Sequence, residues 1–367
     1  MKVLVAGAGP AGLYFSYLVK RRHPEWQLRV VEQNAADSTF GFGVVFSDRA
    51  LEFLCGDDPA TYEAVTPQME QWTDLTVVHR GTPVVIDGIG FSAIGRLKFL
   101  RLMQGRAASV GVVPEFQTRI SDPRELGGHD LVVAADGANS VVRSAADFGT
   151  TITPLTNKFA WFGTTKLFAT LTQTFVENEH GYFNAHHYRH SPEMSTFVFE
   201  CDVATWQRAG FASMNEAQTL AYAEGAFAAT LAGHRLVSNK SVWRNFPNVR
   251  NARWHAGNVV LIGDALRTAH FSIGSGTRLA MEDAIALARA LDEHALPEAL
   301  AAYEAARRPV VEKLVAAADA SGAWYDRFPE HMKLSPREFA WSYIQRSGRV
   351  DPARLRKTSP RFVDATA

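Results

Sequence analysis

Glycines and acidic residues follow three short apolar runs that lie far apart in the chain, at residues 3–12, 131–137 and 259–264. Short continuous apolar runs predict buried parallel strands. In a doubly wound sheet, ligands bind at the carboxyl ends of the parallel strands. The three runs therefore predict one site at which a large nucleotide cofactor contacts three strand ends.

The first run leads into a glycine-rich loop that is typical of dinucleotide binding. The loop consists of Gly7, Ala8, Gly9, Pro10, Ala11 and Gly12. Gly7 allows a tight turn, Gly9 lets the backbone approach a pyrophosphate, and Gly12 lets the following helix pack on the strand. The N-terminus of that helix supplies N–H donors for phosphate oxygens. We therefore predict that this loop holds the pyrophosphate of a dinucleotide.

An acidic residue at the expected end of the second strand narrows the choice of nucleotide. Glu32 lies 20 residues beyond Gly12. A carboxylate at this position accepts a hydrogen bond from a ribose 2′-hydroxyl group, and it repels a 2′-phosphate. The predicted dinucleotide is therefore FAD or NAD rather than NADP.

The composition is that of an ordinary enzyme. Of 367 residues, 47% are apolar and 21% are charged, and 38 basic residues balance 38 acidic residues. Because the net charge is zero, no overall field attracts nucleic acid or an acidic membrane. The chain has two cysteines, Cys55 and Cys201, no signal-peptide layout and no apolar run of about 20 residues. We expect a cytoplasmic monomer or homodimer without a nucleic-acid or membrane partner.

The pattern of elements predicts an α/β protein. Residues 1–34 form a strand, a helix and a strand, and residues 96–110 form a helix. Between residues 153 and 250, short segments alternate in polarity like antiparallel strands. Two helices follow, over residues 279–291 and 298–320, and Pro309 is expected to interrupt the second one.

The residues after the second and third apolar runs point to a particular family. They are Asp136, Gly137, Ser140 and Arg143, and Gly263 and Asp264. A plain NAD dehydrogenase has no need for these groups. In this order, and at predicted strand ends, they resemble the group A flavoprotein monooxygenases, the para-hydroxybenzoate hydroxylase family, over residues 1–320. The resemblance implies FAD, bound noncovalently, and NADH or NADPH as a transient co-substrate.

The same resemblance assigns roles and domains. Asp264 would bond the ribityl chain of FAD, Arg96 would contact its pyrophosphate, and Asp136 would lie near FAD and the path of the nicotinamide. The implied fold is a Rossmann-like FAD-binding domain with an inserted antiparallel-sheet substrate domain and C-terminal helices. The expected bounds are 1–74, 96–152 and 251–320 for the FAD-binding domain, 75–95 and 153–250 for the substrate domain, and 321–367 for the helical tail.

A second glycine-containing loop precedes the helix predicted at residues 279–291. It contains Gly274, Ser275, Gly276 and Thr277. Backbone N–H groups and the positive end of the helix dipole would lie where reduced flavin carries negative charge. The family usually has prolines in this stretch, where this chain has His270 and Phe271.

Short stretches around this loop resemble one subgroup of the family. They cover residues 161–164, 194–197, 243–246 and 270–274. The subgroup contains hydroxylases of salicylyl-CoA and 2-aminobenzoyl-CoA, and the tryptophan hydroxylase of violacein biosynthesis. Residues 274–277 and 279–284 are more similar to the CoA-thioester enzymes. The resemblance favours 5-hydroxylation of an aryl-CoA thioester such as salicylyl-CoA, with a free aromatic or indole substrate such as tryptophan as the alternative.

The family chemistry implies what the site must do. NAD(P)H reduces FAD, O2 forms a flavin hydroperoxide, and its distal oxygen attacks a ring carbon para to a hydroxyl or amino donor. Such a site excludes water, polarises the donor and moves one proton, and it requires no metal. The candidate residues are His186, Tyr188, His270 and Phe271 near the ring, and Arg244 for a carbonyl or phosphate group.

Several interpretations stay open on sequence alone. His186 and His187 are adjacent on a predicted strand and point to opposite faces, and no carboxylate or cysteine lies at ligand spacing, so no metal site is predicted. The six basic residues between 346 and 361 form either a solvated face or a contact with CoA phosphates. An alkene-epoxidising flavoenzyme and a non-catalytic FAD-binding protein share the same FAD signatures.

Overall fold

The computed structural model describes residues 1–47 and 51–364, which form sixteen strands and fourteen α-helices. The strands are β1 Lys2–Ala6, β2 Gln27–Val31, β3 Gly43–Ser47, β4 Glu70–Trp72, β5 Leu75–His79, β6 Thr82–Ile86, β7 Phe91–Gly95, β8 Leu131–Ala134, β9 Thr150–Thr164, β10 Leu171–Asn178, β11 Gly181–Arg189, β12 Ser195–Cys201, β13 Leu236–Ser238, β14 Arg244–Asn251, β15 His255–Ala256 and β16 Val259–Leu261. The α-helices are α1 Pro10–Arg22, α2 Glu52–Asp57, α3 Pro59–Val65, α4 Arg96–Ala108, α5 Val203–Arg208, α6 Glu216–Ala226, α7 Ala228–Leu231, α8 Gly263–Leu266, α9 Gly276–Glu293, α10 Leu296–Asp326, α11 Phe328–His331, α12 Pro336–Gln345, α13 Pro352–Thr358 and α14 Pro360–Asp364.

A five-stranded sheet carries the three predicted strand ends. Its order is β15–β16–β8–β1–β2, and β16, β8, β1 and β2 run parallel. Val5 of the central strand pairs with Val30 on one side and Val133 on the other, and it is fully buried. The carboxyl ends of β1, β8 and β16 therefore meet at one edge, and the predicted Rossmann-like fold is confirmed.

A second, eight-stranded sheet is built from residues 75–86 and 150–251. Its order is β13–β9–β12–β11–β10–β5–β6, with β14 also paired to β9, and only the pairing of β10 with β5 is parallel. Successive side chains of β11 point to opposite faces of the sheet, so Phe183 and His187 lie on one face and His186 lies on the other. The predicted inserted antiparallel sheet is thus present, with a core on one face and a cavity on the other.

A third, small sheet joins these two parts. β7 pairs with both β3 and β4. It leads directly into α4, which packs against α1 of the first sheet. This small sheet links segments that the sequence analysis assigned to different domains, and the domain bounds stay a prediction.

The prediction that Pro309 interrupts its helix is wrong. α10 runs through Pro309 without a break for 31 residues. A proline in a helix interior removes one backbone hydrogen bond and costs about 3 kcal/mol. Burial of a long stripe that includes Tyr303, Val311 and Tyr325 outweighs this cost. None of the helices in the described residues is long and apolar enough to cross a membrane.

The C-terminal helices pack on the far end of the eight-stranded sheet. The ring of Phe175 on β10 lies 4.6 Å from that of Phe339 on α12. The carboxylate of Asp87 accepts hydrogen bonds from the backbone N–H groups of Phe362, at 2.8 Å, and Arg361, at 3.3 Å. The tail is therefore part of the folded core.

We expect Gly88→Ala to destabilise the protein more than Gly81→Ala. Both glycines have left-handed backbone angles, so an alanine at either costs roughly 1–2 kcal/mol. A Cβ at Gly88 would also lie 1.9 Å from the carbonyl oxygen of Thr358, whereas a Cβ at Gly81 meets nothing within 4 Å. Thermal melting should show a Tm several degrees lower for Gly88→Ala. Equal Tm values would contradict a rigid contact between this turn and the tail.

Candidate active site

The glycine-rich loop between β1 and α1 is shaped by two close backbone contacts. A Cβ at Gly7, which has a φ of +101°, would lie 2.3 Å from the carbonyl oxygen of Ala135. A Cβ at Gly12 would lie 2.0 Å from the carbonyl oxygen of Gly7. Gly9 faces open space, with nothing within 4 Å of its Cβ position. Gly7 and Gly12 thus fix the loop, and Gly9 leaves room for a ligand.

Glu32 lies beside this loop, at the end of β2. One of its carboxylate oxygens accepts from the backbone N–H of Ala8, at 3.0 Å, and the other from that of Asn34, at 2.9 Å. The oxygen that bonds Ala8 can accept a second bond, whereas the other already accepts one from the side-chain amide of Asn34, at 2.7 Å. A cavity of about 200 Å³ lies next to the carboxylate. Its lining includes Ala8, Gly9, Pro10, Glu32, Phe40, Arg96, Phe99 and Thr277.

Asp136, at the end of β8, contacts the backbone that follows it. Its Oδ2 accepts from the N–H groups of Val141, at 2.8 Å, and Val142, at 3.2 Å, while Oδ1 is buried without a partner. Burial raises the pKa of this carboxyl group. Arg143 then donates to the carbonyl oxygen of Ala265, at 2.9 Å. This bond ties the ends of β8 and β16 together.

The turn at Gly263 and Asp264 rests on a buried charge network. The backbone N–H of Gly263 donates to the carboxylate of Asp283, at 3.1 Å. Asp283 is fully buried and forms ion pairs with Arg267, at 2.8 Å, and Arg307, at 3.3 Å. A buried carboxylate needs such partners. This network therefore fixes the turn that presents Asp264.

Asp264 and Arg96 lie close enough to interact electrostatically. The side chain of Asp264 is exposed to solvent, but protein atoms surround it densely. This desolvation raises the pKa of its carboxyl group, and the positive charges of Arg267 and Arg96 oppose the shift. An exposed group that is densely surrounded lies in a cleft rather than on a convex surface. Arg96, the first residue of α4, stacks over Trp161 and forms no ion pair within the described residues. It is available for an anion.

The N-terminus of α9 also points to the first cavity. Gly274 has a φ of +60°, and a Cβ there would lie 3.3 Å from the carbonyl oxygen of Val45. Ser275 precedes the first residue of α9, Gly276, and no side chain caps this end. Thr277 lines the cavity. The unpaired N–H groups of α9 therefore face the same space as those of α1.

These groups fit FAD. A pyrophosphate could bind to the N-termini of α1 and α9, the unpaired guanidinium of Arg96 and the open backbone at Gly9. The carboxylate of Glu32 suits a ribose hydroxyl group. Asp264 lies where it could accept from a further hydroxyl group. The individual contacts of these residues with FAD stay a prediction.

A second cavity, of about 20 Å³, lies between the Gly274 loop and the eight-stranded sheet. By volume it holds about one water molecule. Its lining consists of Val45, Phe91, Leu171, Gln173, His186, Phe271, Ser272, Gly274, Tyr343 and Arg346. Of the five predicted ring-facing and carbonyl-binding residues, the structure thus places His186 and Phe271 at this cavity.

The other three predicted residues lie elsewhere. The ring of His270 is buried behind Ser272, to whose hydroxyl group its Nδ1 bonds at 2.8 Å, and it packs against α10. The hydroxyl group of Tyr188 donates to the carbonyl oxygen of Gly43, at 3.2 Å. Arg244 is exposed and stacks over Phe40, at the first cavity. The structure does not bring these three side chains to the second cavity.

Burial keeps the cavity histidine neutral. Desolvation, with a smaller effect of Arg346, lowers the pKa of His186 to about 3. Its neighbour His187 lies on the opposite face, where Nε2 bonds the hydroxyl group of Thr174 at 2.9 Å. No group of three or more histidines, cysteines and acidic residues is arranged for a metal ion in the part of the chain that the structure describes.

Sequence reasoning missed the polar wall of the second cavity. Gln173 comes from the middle of β10, and Tyr343 and Arg346 come from the tail. The one available signal was the cluster of basic residues after residue 345. The role of Asp283 in the turn at Gly263 was not predicted either, although the residue lies within the stretch 279–284.

A buried carboxyl group supports this wall from behind. Tyr325 donates its hydroxyl hydrogen to Gln173, at 3.1 Å. The side-chain amide of Asn157 donates both to the carbonyl oxygen of Tyr325 and to Glu200, each at 2.9 Å. Desolvation, helped by Asp326 and opposed by Asn157, raises the pKa of Glu200 to about 8. Glu200 is therefore protonated at neutral pH.

We expect Glu200→Gln to flatten the dependence of stability on pH. Between pH 4.5 and 8, the unfolded chain releases the Glu200 proton but the folded chain keeps it, so the free energy of unfolding falls as pH rises. Glutamine does not ionise, and the variant should gain a few degrees in Tm relative to wild type between pH 5.5 and 8.5. The exposed Glu193→Gln is the control. Parallel pH profiles for wild type and Glu200→Gln would contradict the raised pKa.

Two of the loop glycines, Gly9 and Gly12, should respond differently to substitution by alanine. Gly12→Ala forces backbone apart and should lower the Tm of the flavin-free protein. Gly9→Ala should leave that Tm unchanged but lower FAD affinity roughly tenfold or more, since its methyl group occupies the ligand side of the loop. Melting curves and the flavin content after gel filtration measure both effects. Full flavin retention in Gly9→Ala would contradict the assignment.

Comparison with known proteins agrees with this geometry. A family model described as an FAD binding domain matches residues 99–318. The chain is 44% identical over 361 residues to salicyloyl-CoA 5-hydroxylase of Streptomyces sp, covering 95% of this chain and 70% of that protein. It is 39% identical over 333 residues to 3-hydroxy-4-methyl-anthranilyl-[aryl-carrier protein] 5-monooxygenase of Streptosporangium sibiricum, covering 90% of each.

The fold is shared more widely than the sequence. A crystal structure of 2-methyl-3-hydroxypyridine-5-carboxylic acid oxygenase superposes with a TM-score of 0.73 at 18% identity, over 96% of this chain and 98% of that one. FAD is the cofactor of the matched domain, and NAD(P)H is the usual co-substrate of such monooxygenases. By its sequence, its fold and the residues at its strand ends, this chain belongs to the FAD-binding aromatic monooxygenase family.

Proposed function

We propose that this protein hydroxylates the ring of an aromatic acyl thioester at the carbon para to an ortho hydroxyl or amino group. The names of two relatives support this substrate class. Both describe an acyl group attached to CoA or to a carrier protein, with an oxygen or nitrogen donor at ring position 2 and hydroxylation at position 5. Position 5 is para to position 2. Salicylyl-CoA is the simplest substrate that meets these conditions.

The observation that carries the proposal is the chemistry of the second cavity. Its walls include the aromatic rings of Phe91, Phe271 and Tyr343, which suit a flat aromatic ring. His186 supplies a neutral ring nitrogen, Nδ1, that is buried without a partner. A donor hydroxyl or amino group on the substrate would satisfy that nitrogen.

The position of this cavity suits a reaction at the cofactor. Phe271 and Gly274 belong to the segment that runs into α9, whose N-terminus faces the first cavity. When bound, FAD supplies the electrons from NAD(P)H and the activation of O2 that hydroxylation requires. The chain's own N–H groups at the start of α9 stabilise negative charge there.

The protein residues orient the ring and exclude water. An aromatic ring is larger than this cavity, so the lining side chains must move apart to admit it, and a bound ring then displaces water from the site. His186 bonds the donor without itself adding charge, since its pKa is far below 7. A donor para to the attacked carbon increases electron density there, which favours attack by an electrophilic oxygen.

The first test compares substrates. Salicylyl-CoA should stimulate NAD(P)H oxidation at least tenfold over free salicylate or tryptophan, and the product should carry a new hydroxyl group at position 5. Benzoyl-CoA, which lacks the ring donor, should give hydrogen peroxide instead of a hydroxylated product. The assay measures NAD(P)H, hydrogen peroxide and product together.

Two outcomes would redirect the assignment. If free salicylate or tryptophan turns over better than the thioester, the substrate is a free aromatic or indole compound. If no aromatic compound stimulates NAD(P)H oxidation in the FAD-loaded protein, the hydroxylase proposal fails.

A further inference from the structure

Arg346 is an unusual cation, because it is held by neutral groups alone. It follows α12, and its guanidinium donates to the backbone carbonyl oxygens of Tyr343, at 2.9 Å, and Ser272, at 2.8 Å. The guanidinium carbon lies 3.9 Å from the centroid of the Tyr343 ring. Within the described residues, no carboxylate forms an ion pair with it.

Part of this guanidinium lacks a hydrogen-bond partner. Nε of Arg346 is buried and makes no hydrogen bond. An arginine carries five N–H donors, and two of them are used here. A buried charged donor without an acceptor is costly. Arg346 lines the cavity with Gln173 and His186, so an acceptor bound in that cavity lies beside this guanidinium.

The lining of this cavity is complementary to an electron-rich oxygen. Among the described residues that line the cavity, Arg346 is the only arginine or lysine, and none is acidic. His186 stays neutral near pH 7. The positive charge of the Arg346 guanidinium therefore has no acidic partner among the lining residues.

We infer that Arg346 binds the substrate, donating through Nε–H and a neighbouring N–H to the acyl carbonyl oxygen and the ortho oxygen of the ring. This inference rests on the proposed function. The two oxygens of an ortho-hydroxy aryl thioester are adjacent and coplanar, and a guanidinium presents parallel N–H groups that match such a pair. The contact stabilises the ionised form of the phenol, which is the stronger ring donor.

The origin of Arg346 makes it a specificity residue. The family model ends at residue 318, and Arg346 comes from the helices beyond it. The same side chain holds the carbonyl oxygen of Ser272, two residues before Gly274. The tail thus contributes both the oxygen-binding group and a support for the loop near the cofactor.

The experiment measures binding without turnover. Wild type, Arg346→Gln and Arg346→Lys, each loaded with FAD, are titrated with salicylyl-CoA and with benzoyl-CoA in the absence of NAD(P)H. Arg349→Gln, an exposed arginine of the same tail, is the control. We expect Arg346→Gln to weaken salicylyl-CoA binding roughly tenfold to hundredfold, the loss of a charged hydrogen bond, and benzoyl-CoA binding less. Arg346→Lys should restore part of the affinity.

Ionisation of the bound phenol gives a readout that a structural role would not move. In wild type, the absorbance of the bound phenolate should appear at lower pH than for the free thioester, and in Arg346→Gln this shift should disappear. An unchanged phenolate titration, or equal losses of affinity for both thioesters, would overturn the inference.

The design separates this inference from the proposed function. If wild type binds a free aromatic acid or tryptophan instead of the thioester, the proposed function fails. The role of Arg346 is then judged on that ligand: a tenfold or greater loss in Arg346→Gln retains Arg346 as the binding residue, and unchanged affinity overturns it.

Discussion

The backbone of Gly7 lies so close to the carbonyl oxygen of Ala135 that no side chain fits between them. This contact sets the distance between the ends of β1 and β8. Gly12 then packs on Gly7, which fixes the start of α1 relative to the same edge. Arg143 links that edge to the residues after β16. These contacts fix the relative positions of the three strand ends and of the N-terminus of α1, which borders the first cavity.

Hydrogen bonds of Ser272 anchor the segment that lies between the two cavities. Its backbone N–H donates to His270, its hydroxyl group bonds the hydroxyl group of Ser321 at 2.7 Å, and its carbonyl oxygen accepts from Arg346. The segment between the cavities is thus held from α10 and from the tail. His270 acts here as a positioning residue for the loop, a role that explains its burial without contact to the second cavity.

The sequence was sufficient where local pattern decides the structure. The parallel strands, the glycine loop and the antiparallel insert follow from continuous apolar runs, glycine spacing and alternation, and all were predicted. The path of α10 through Pro309 was not, because packing of a long buried stripe outweighs a local cost. The cavity wall made by Gln173, Tyr343 and Arg346 could not be predicted either, because it joins β10 to the distant C-terminal tail through tertiary contacts that no single spacing encodes.

The contact of Asp87 with Phe362 has a consequence for folding. It joins residues 275 positions apart, and contacts of such long sequence separation carry a large loop-closure cost and slow folding. The five-stranded sheet, by contrast, pairs β1 with the nearby β2 before any of the tail is needed. We therefore expect the wall that carries Arg346 to form late in folding, after the strand ends that face the first cavity have met.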